Sequence, residues 1–312
     1  MIQRRGIIAG STLLVVALAA VSWKLTSTQH LNSGAVLGDA AVGMKQPVIA
    51  AQPVLDVDAI KPYARSAVVI DAESGTLLVA KNEHLSVPIA STTKIVSSIV
   101  LLRSGKDLDA EVTISKTAAN QIGSVMGLVT GDTLTLRDLL TGALLVSGND
   151  AIYAIAENDG GIETFVKQMN ETAAELGMKD SQFFDPAGLN DQGHSSAFDI
   201  STAFRYALTL DEFRRTINLT DTTVTSSKGN AYHLSNSNRL IKSDEALYLP
   251  DAIGGKTGYT PDAGHTLVTA AERDGHVLIT AVLHTDEETA QASAREARRL
   301  LSWTFDHTNW NK

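Results

Sequence analysis

Two β-prone hairpins stand near opposite ends of this chain with helix-patterned sequence between them, and that order constrains the fold more than any other feature. Ser66 to Asp71 (SAVVID) and Thr76 to Lys81 (TLLVAK) flank the turn sequence Ala72-Glu73-Ser74-Gly75. His265 to Ala271 and His276 to His284 flank Glu272-Arg273-Asp274-Gly275. Apolar residues recur at helical spacing over 91–103, 136–146, 150–158, 162–176 and 199–209. Thr135-Leu136-Arg137-Asp138 and Thr285-Asp286-Glu287-Glu288 fit capping boxes, the second opening a last helix that runs to about Phe305. Early and late strands around inserted helices predict an α+β domain whose two ends close into one antiparallel sheet.

The amino terminus follows a different rule. Arg4 and Arg5 precede the apolar run GIIAGSTLLVVALAAVSW, which Lys24 ends, so residues 1–23 read as a signal peptide or an amino-terminal membrane anchor. With the arginines inside, either outcome sends the rest of the chain to the outer face of the cytoplasmic membrane or beyond it. Residues 24–60 show no sustained period and read as a linker. The folded domain is expected over 61–306, with 307–312 a short tail.

Composition removes several function classes. A net charge of −9 without clustered Lys and Arg argues against nucleic acid as a partner. The absence of cysteine removes disulfides, thiolate metal sites and cysteine nucleophiles. The eight histidines are scattered, with no H-E-x-x-H pair, so neither metal nor other cofactor is expected.

Ser91-Thr92-Thr93-Lys94 heads the apolar run IVSSIVLL. An ammonium in such a helix is costly to desolvate unless it is paired. The i, i+3 spacing stacks the serine hydroxyl and the lysine amine on one helix face. A serine is a weak nucleophile until a base takes its proton, and a lysine becomes that base when burial lowers its pKa from about 10.4. The ordinary alternative is a helix N-cap serine followed by a surface lysine, since about one S-x-x-K is expected by chance in a chain of this size.

Two further short motifs alter that balance. Ser147-Gly148-Asn149 lies between two helical stretches and otherwise reads as an interhelix turn; Lys256-Thr257-Gly258 lies in the strand-like run AIGGKTGYT and otherwise reads as an edge strand. S-x-x-K, S-x-N and K-T-G occur once each, in that order, on helix, loop and strand.

This triplet is the signature of penicillin-binding proteins and class A β-lactamases. Residues 60 to 306 resemble the low-molecular-weight penicillin-binding proteins, the serine D-alanyl-D-alanine carboxypeptidases, with similar blocks in VVIDAESGTLLVAKNEHLSVPIASTTKIVSSIVLL, LRDLLTGALLVSGNDAIYAIAE, FVKQMNETAAELGMKDSQFFDPAGLND, SSAFDIS and GGKTGYTPDAGHTLVTAA. The resemblance implies a five-stranded antiparallel sheet flanked by helices, with an inserted all-helical subdomain. It implies that Ser91 attacks the carbonyl between two D-alanines and that Lys94 takes its proton. Ser147 would relay a proton to the leaving amine, and Asn149 would hold Lys94 and the substrate amide. Lys256 and Thr257 would meet the terminal carboxylate, Gly258 would let the substrate lie against the strand, and the N–H groups of Ser91 and Tyr259 would form the oxyanion hole. Lys256 would also help keep Lys94 neutral. The implied partners are peptidoglycan stem peptides and, as covalent inhibitors, β-lactams.

Three alternatives stay open at this level. A class A β-lactamase carries a water-activating glutamate in E-x-x-L-N; the comparable Pro186-Ala187-Gly188-Leu189-Asn190 has proline there, with Asp185 one position away. A D,D-endopeptidase or transpeptidase would show the same three motifs. A non-catalytic envelope protein would have no use for a buried lysine.

Overall fold

A computed structural model describes residues 57–285 and 289–310. The segment read as signal or anchor, most of the linker, and Asp286, Glu287 and Glu288 of the second capping box lie outside the described residues.

The first hairpin forms β1 (Ala64–Asp71) and β2 (Leu77–Lys81). The carboxy-terminal part forms β3 (Ala252–Thr260), β4 (Gly264–Arg273) and β5 (His276–Thr285). They make one antiparallel five-stranded sheet in the order β2-β1-β5-β4-β3. β1 pairs with β5 from Ala64 opposite Thr285 to Asp71 opposite Leu278, so early and late segments close together as the hairpin order predicts. Glu272 and Arg273 belong to β4, which reduces the second hairpin's turn to Asp274-Gly275.

Helices α1 (Lys94–Arg103), α2 (Leu136–Leu145), α3 (Asn149–Asn158), α4 (Ile162–Glu175), α5 (Ala197–Ala207) and α6 (Asp211–Ile217) lie between the two groups of strands, and α7 (Ala292–His307) follows them. The Thr135 capping box forms as expected at the start of α2. The inserted region is mainly helical and also holds short strand pairs: Glu111–Thr113 with Thr133–Thr135, and Asp221–Thr225 with Ala231–Ser235.

Side chains alternate across β1 because successive Cβ atoms point to opposite faces. Val68 and Ile70 join the core shared with α1, α2 and α3, whereas Ala67 and Val69 join a second core with Ala297, Leu300, Leu301 and Phe305 of α7. Each large apolar side chain so buried contributes about 1.5–3 kcal/mol. Both faces of the sheet are therefore covered, and α1 is central: every residue from Lys94 to Leu101 is buried.

Val57–Ile60 forms a short helix, Ile60 is buried in the second core, and its carbonyl accepts from Arg299 Nη1. At the other end α7 begins at Ala292 and extends to His307, past the boundary at 306, and Trp310 stacks on His276 with ring centroids 4.0 Å apart. Among the described residues no helix is long and apolar enough to cross a membrane.

Candidate active site

The head of α1 is tighter than the helix predicted from residue 91. Ala90–Thr93 forms a 3-10 turn, and Lys94 starts the α-helix proper. Three residues complete a 3-10 turn, so positions i and i+3 eclipse. Ser91 Oγ consequently sits over Lys94 Nζ, which donates to it at 2.8 Å. Ala90 holds a φ of +48°, a strained value for a residue with a Cβ. The alternative of an N-cap serine with a surface lysine does not apply, because Lys94 is fully buried and the Ser91 side chain caps nothing.

Lys94 Nζ donates twice more, to Asn149 Oδ1 at 2.7 Å and to the Ala187 carbonyl at 2.9 Å. Asn149 Nδ2 donates to the Ile122 carbonyl at 2.6 Å, which fixes the amide with its oxygen toward the lysine. Both partners accept only. When Lys94 is neutral they hold its two remaining hydrogens and aim its lone pair at the Ser91 hydroxyl.

The first turn of α3 and the loop at Ala187 supply these partners, and a buried carboxylate organises the backbone around each. Asp185 accepts from the N–H groups of Ala187, Gly188, Leu189 and Asn190 at 2.7–3.2 Å. Ser97 Oγ on α1 donates to the Pro186 carbonyl at 2.6 Å, tying this loop to the helix. Gly188 lies so close that a Cβ would stand 1.9 Å from the Ala90 carbonyl oxygen, and its φ is +76°. On the other side Asp150 accepts from Met126, Gly127, Leu128 and Ala151 N–H at 2.8–2.9 Å.

Burial pushes the Lys94 pKa down to about 7, against the Asp185 and Asp150 carboxylates, which raise it. Neither carboxylate bonds the amine. Burial, expected from the apolar helix, dominates at Lys94, and the repulsion expected between the two lysines lowers the Lys256 pKa. That lysine is also fully buried, and its pKa falls well below the ordinary value through burial and then through the charge of Lys94.

β3 brings the K-T-G motif to the serine. It is an edge strand, and a Cβ on Gly258 would stand 3.0 Å from both the Ser91 nitrogen and the Ile89 carbonyl oxygen, so only glycine permits this approach. Lys256 Nζ donates to the Thr257 carbonyl at 2.8 Å. Tyr259 is exposed and stacks on His265. Ser147 sits between α2 and α3 at a φ of +63°; its hydroxyl is buried without a hydrogen bond, so it makes none to Lys94 or Lys256. Ser91, Lys94 and Asn149 are thus directly linked, Gly258 approaches the Ser91 backbone, and the Ser147 hydroxyl has no hydrogen-bond partner among the described residues.

Sequence reasoning missed several participants. The Ala187 carbonyl and Asp150 act through or upon backbone and leave no motif, although Asp150 directly follows S-x-N. Asp185 appeared there only as a displaced glutamate; both its oxygens accept N–H groups of its own loop. Ser237 is a further omission. Its hydroxyl lies 2.7 Å from Thr257 Oγ1, and its N–H donates to the Leu145 carbonyl between buried Asn236 and Asn238. Among the described residues no group of three or more His, Asp or Glu side chains converges as a metal site.

Comparison with known proteins points the same way. The family model for D-alanyl-D-alanine carboxypeptidase, peptidase S11, matches residues 50–287. The D-alanyl-D-alanine carboxypeptidase DacF of Bacillus subtilis is 33% identical over 248 residues, covering 78% of this chain and 62% of that protein. The D-alanyl-D-alanine carboxypeptidase DacB2 of Mycobacterium tuberculosis is 33% identical over 250 residues, covering 78% of this chain and 82% of that one. The crystal structure of a Streptomyces DD-transpeptidase superposes with a TM-score of 0.73 at 29% identity, over 78% of this chain and 98% of that one. The chain thus spans less than two thirds of the length of the Bacillus relative.

Proposed function

The chain belongs to the D-alanyl-D-alanine carboxypeptidase family, and from that premise we propose that it removes the terminal D-alanine from peptidoglycan stem peptides through an acyl-enzyme on Ser91. The observation that carries this reading is the buried Lys94, with a pKa near neutrality and a hydrogen bond to Ser91 at 2.8 Å.

Neutral Lys94 takes the Ser91 proton as the serine oxygen adds to the carbonyl of the penultimate D-alanine. The N–H groups of Ser91 and Tyr259 receive the developing oxyanion. The proton passes from Lys94 through the otherwise unpartnered Ser147 hydroxyl to the departing amine, and the C–N bond breaks. Lys256 and Thr257 hold the terminal carboxylate, whose arrival favours the protonated form of Lys256. A water then gives its proton to Lys94 and attacks the ester, and the serine leaves with that proton.

A β-lactam presents its ring amide to the same serine, and its leaving amine stays tethered. The engagement of Asp185 by its own loop supports slow deacylation, hence a penicillin target rather than a β-lactamase. Residues 61–306, extended by Val57–Ile60, form the catalytic domain on this reading. Residues 1–23 export the chain and either leave it or anchor it at the outer face of the membrane, so that the enzyme works in the cell envelope. No cofactor enters the scheme.

The test uses fluorescent penicillin and a peptide ending in D-Ala-D-Ala. Covalent label on the wild type, none on Ser91→Ala, and release of D-alanine are expected. Absent label, or label kept by Ser91→Ala, refutes the reading, and rapid loss of label assigns the chain to the β-lactamases. A cross-linked dimer cleaved faster than the linear peptide makes it an endopeptidase.

A further inference from the structure

The direction of β3 assigns a partner to each residue of a bound peptide. The strand runs from Lys256 through Thr257 and Gly258 to Thr260, with its outer edge unpaired by any other strand of the sheet. On the carboxypeptidase reading the peptide's terminal carboxylate lies at Lys256 and Thr257, and its scissile carbonyl lies where Gly258 meets the Ser91 nitrogen. An extended peptide advances about 3.3 Å per residue, as the strand does. The residue that precedes D-Ala-D-Ala therefore lies beside Tyr259 and Thr260.

A carboxylate waits there. Thr260 Oγ1 donates to Asp191 Oδ1 at 2.6 Å and accepts from the Ala263 N–H at 3.0 Å, so the threonine hydroxyl is committed at both ends and fixes the Asp191 side chain. Asp191 is half-buried, and this is its only hydrogen bond among the described residues. No Lys, Arg or His of the described residues forms an ion pair with it, whereas most other buried or half-buried carboxylates here are bonded to cations or to backbone N–H groups. The loop that carries it is stiffened by the Asp185 bonds and by Gly193 and Gln192 N–H groups donating to the Asn190 carbonyl and Asn190 Oδ1. His265, paired opposite Tyr259 on β4, is held below the usual histidine value by burial and adds no cation at neutral pH.

We infer that Asp191, positioned by Thr260 at the end of β3, recognises a free ammonium on the side chain of the residue preceding D-Ala-D-Ala. This makes it a specificity-determining residue: it touches the substrate and takes no part in the bond rearrangement. The inference rests on the carboxypeptidase reading for the direction of the peptide.

The test compares kcat/KM for two peptides with the full chain, one with a lysine before D-Ala-D-Ala and one with that lysine acetylated on its side chain. A half-exposed, hydrogen-bonded ion pair predicts a preference of about three- to tenfold for the free ammonium in the wild type. Asp191→Asn brings the two peptides to within about twofold of each other. Asp191→Lys shifts preference to a peptide with glutamate at that place. Covalent labelling by a penicillin that lacks an ammonium reports whether each variant is folded. Equal rates for both peptides in the wild type, or a preference that survives in a penicillin-labelled Asp191→Asn, overturns the assignment. Hydrolysis of neither peptide by the wild type removes the carboxypeptidase reading and this inference with it.

Discussion

Lys94 sets a pH dependence that is measurable without substrate peptide. Its displacement from the ordinary 10.5 to about 7 represents about 5 kcal/mol against the charged form, at about 1.36 kcal/mol per factor of ten. The unfolded chain keeps that proton up to 10.5, and the folded chain keeps it only to about 7. Between those values the unfolded state binds more protons, so folding stability rises with pH across that window, and the penalty is fully present below it. On the proposed mechanism the same titration gates the nucleophile. About one Lys94 in ten is neutral at about pH 6 and about nine in ten at about pH 8. Acylation by penicillin, followed by rapid-quench labelling at constant ionic strength, is expected to rise about tenfold between those points with a midpoint near 7. Lys94→Arg, charged at every pH in the range, abolishes labelling. Acylation rates that agree within about twofold at pH 6 and pH 8, or a midpoint above about 9, refute the assignment of Lys94 as the base.

Asp185 and Asp150 both raise the Lys94 pKa, so Asp150→Asn moves the acylation midpoint below 7; unfolding of the same variant shows a loss of about 1–3 kcal/mol where the N–H groups of Met126, Gly127 and Leu128 lose a charged acceptor. Gly188→Ala forces a Cβ against the Ala90 carbonyl from a positive φ and destabilises by about 2–4 kcal/mol, read as a lower thermal midpoint together with slower penicillin labelling. Ser237→Ala frees the Thr257 hydroxyl from its neighbour; KM for a peptide with a free terminal carboxylate rises about two- to fivefold while kcat holds, and a carboxyl-amidated peptide shows no such change.

What the sequence discloses is whatever depends on local spacing. The hairpins around Ser74-Gly75 and Asp274-Gly275, the Thr135 capping box and the Ser91–Lys94 pair each follow from residues within one turn or one hairpin. α6 and the Asp221–Thr225, Ala231–Ser235 hairpin escaped because their apolar residues are few: only Val224, Tyr232 and Leu234 of that hairpin are buried. The site is legible where side chains carry the chemistry and hidden where backbone does. Asp150 and Asp185 organise loops through N–H groups that any residue can offer. Ser237 reaches Thr257 across a sequence gap that only the tertiary fold closes.

The free edge of β3 carries a consequence for solubility. A strand with an unpaired row of N–H and C=O groups is a template for any other strand, including that of a second copy. Here the edge lies against the Ala90–Thr93 turn through Gly258, and Lys256 is fully buried with its amine donating to the Thr257 carbonyl. A flat hydrophobic strand arriving from another chain would meet that turn at Gly258 before it could pair along the whole edge. The approach that brings Ser91 to the strand thereby also shortens the template open to other strands, and loosening the turn from Gly258 would expose the chain to edge-to-edge self-association.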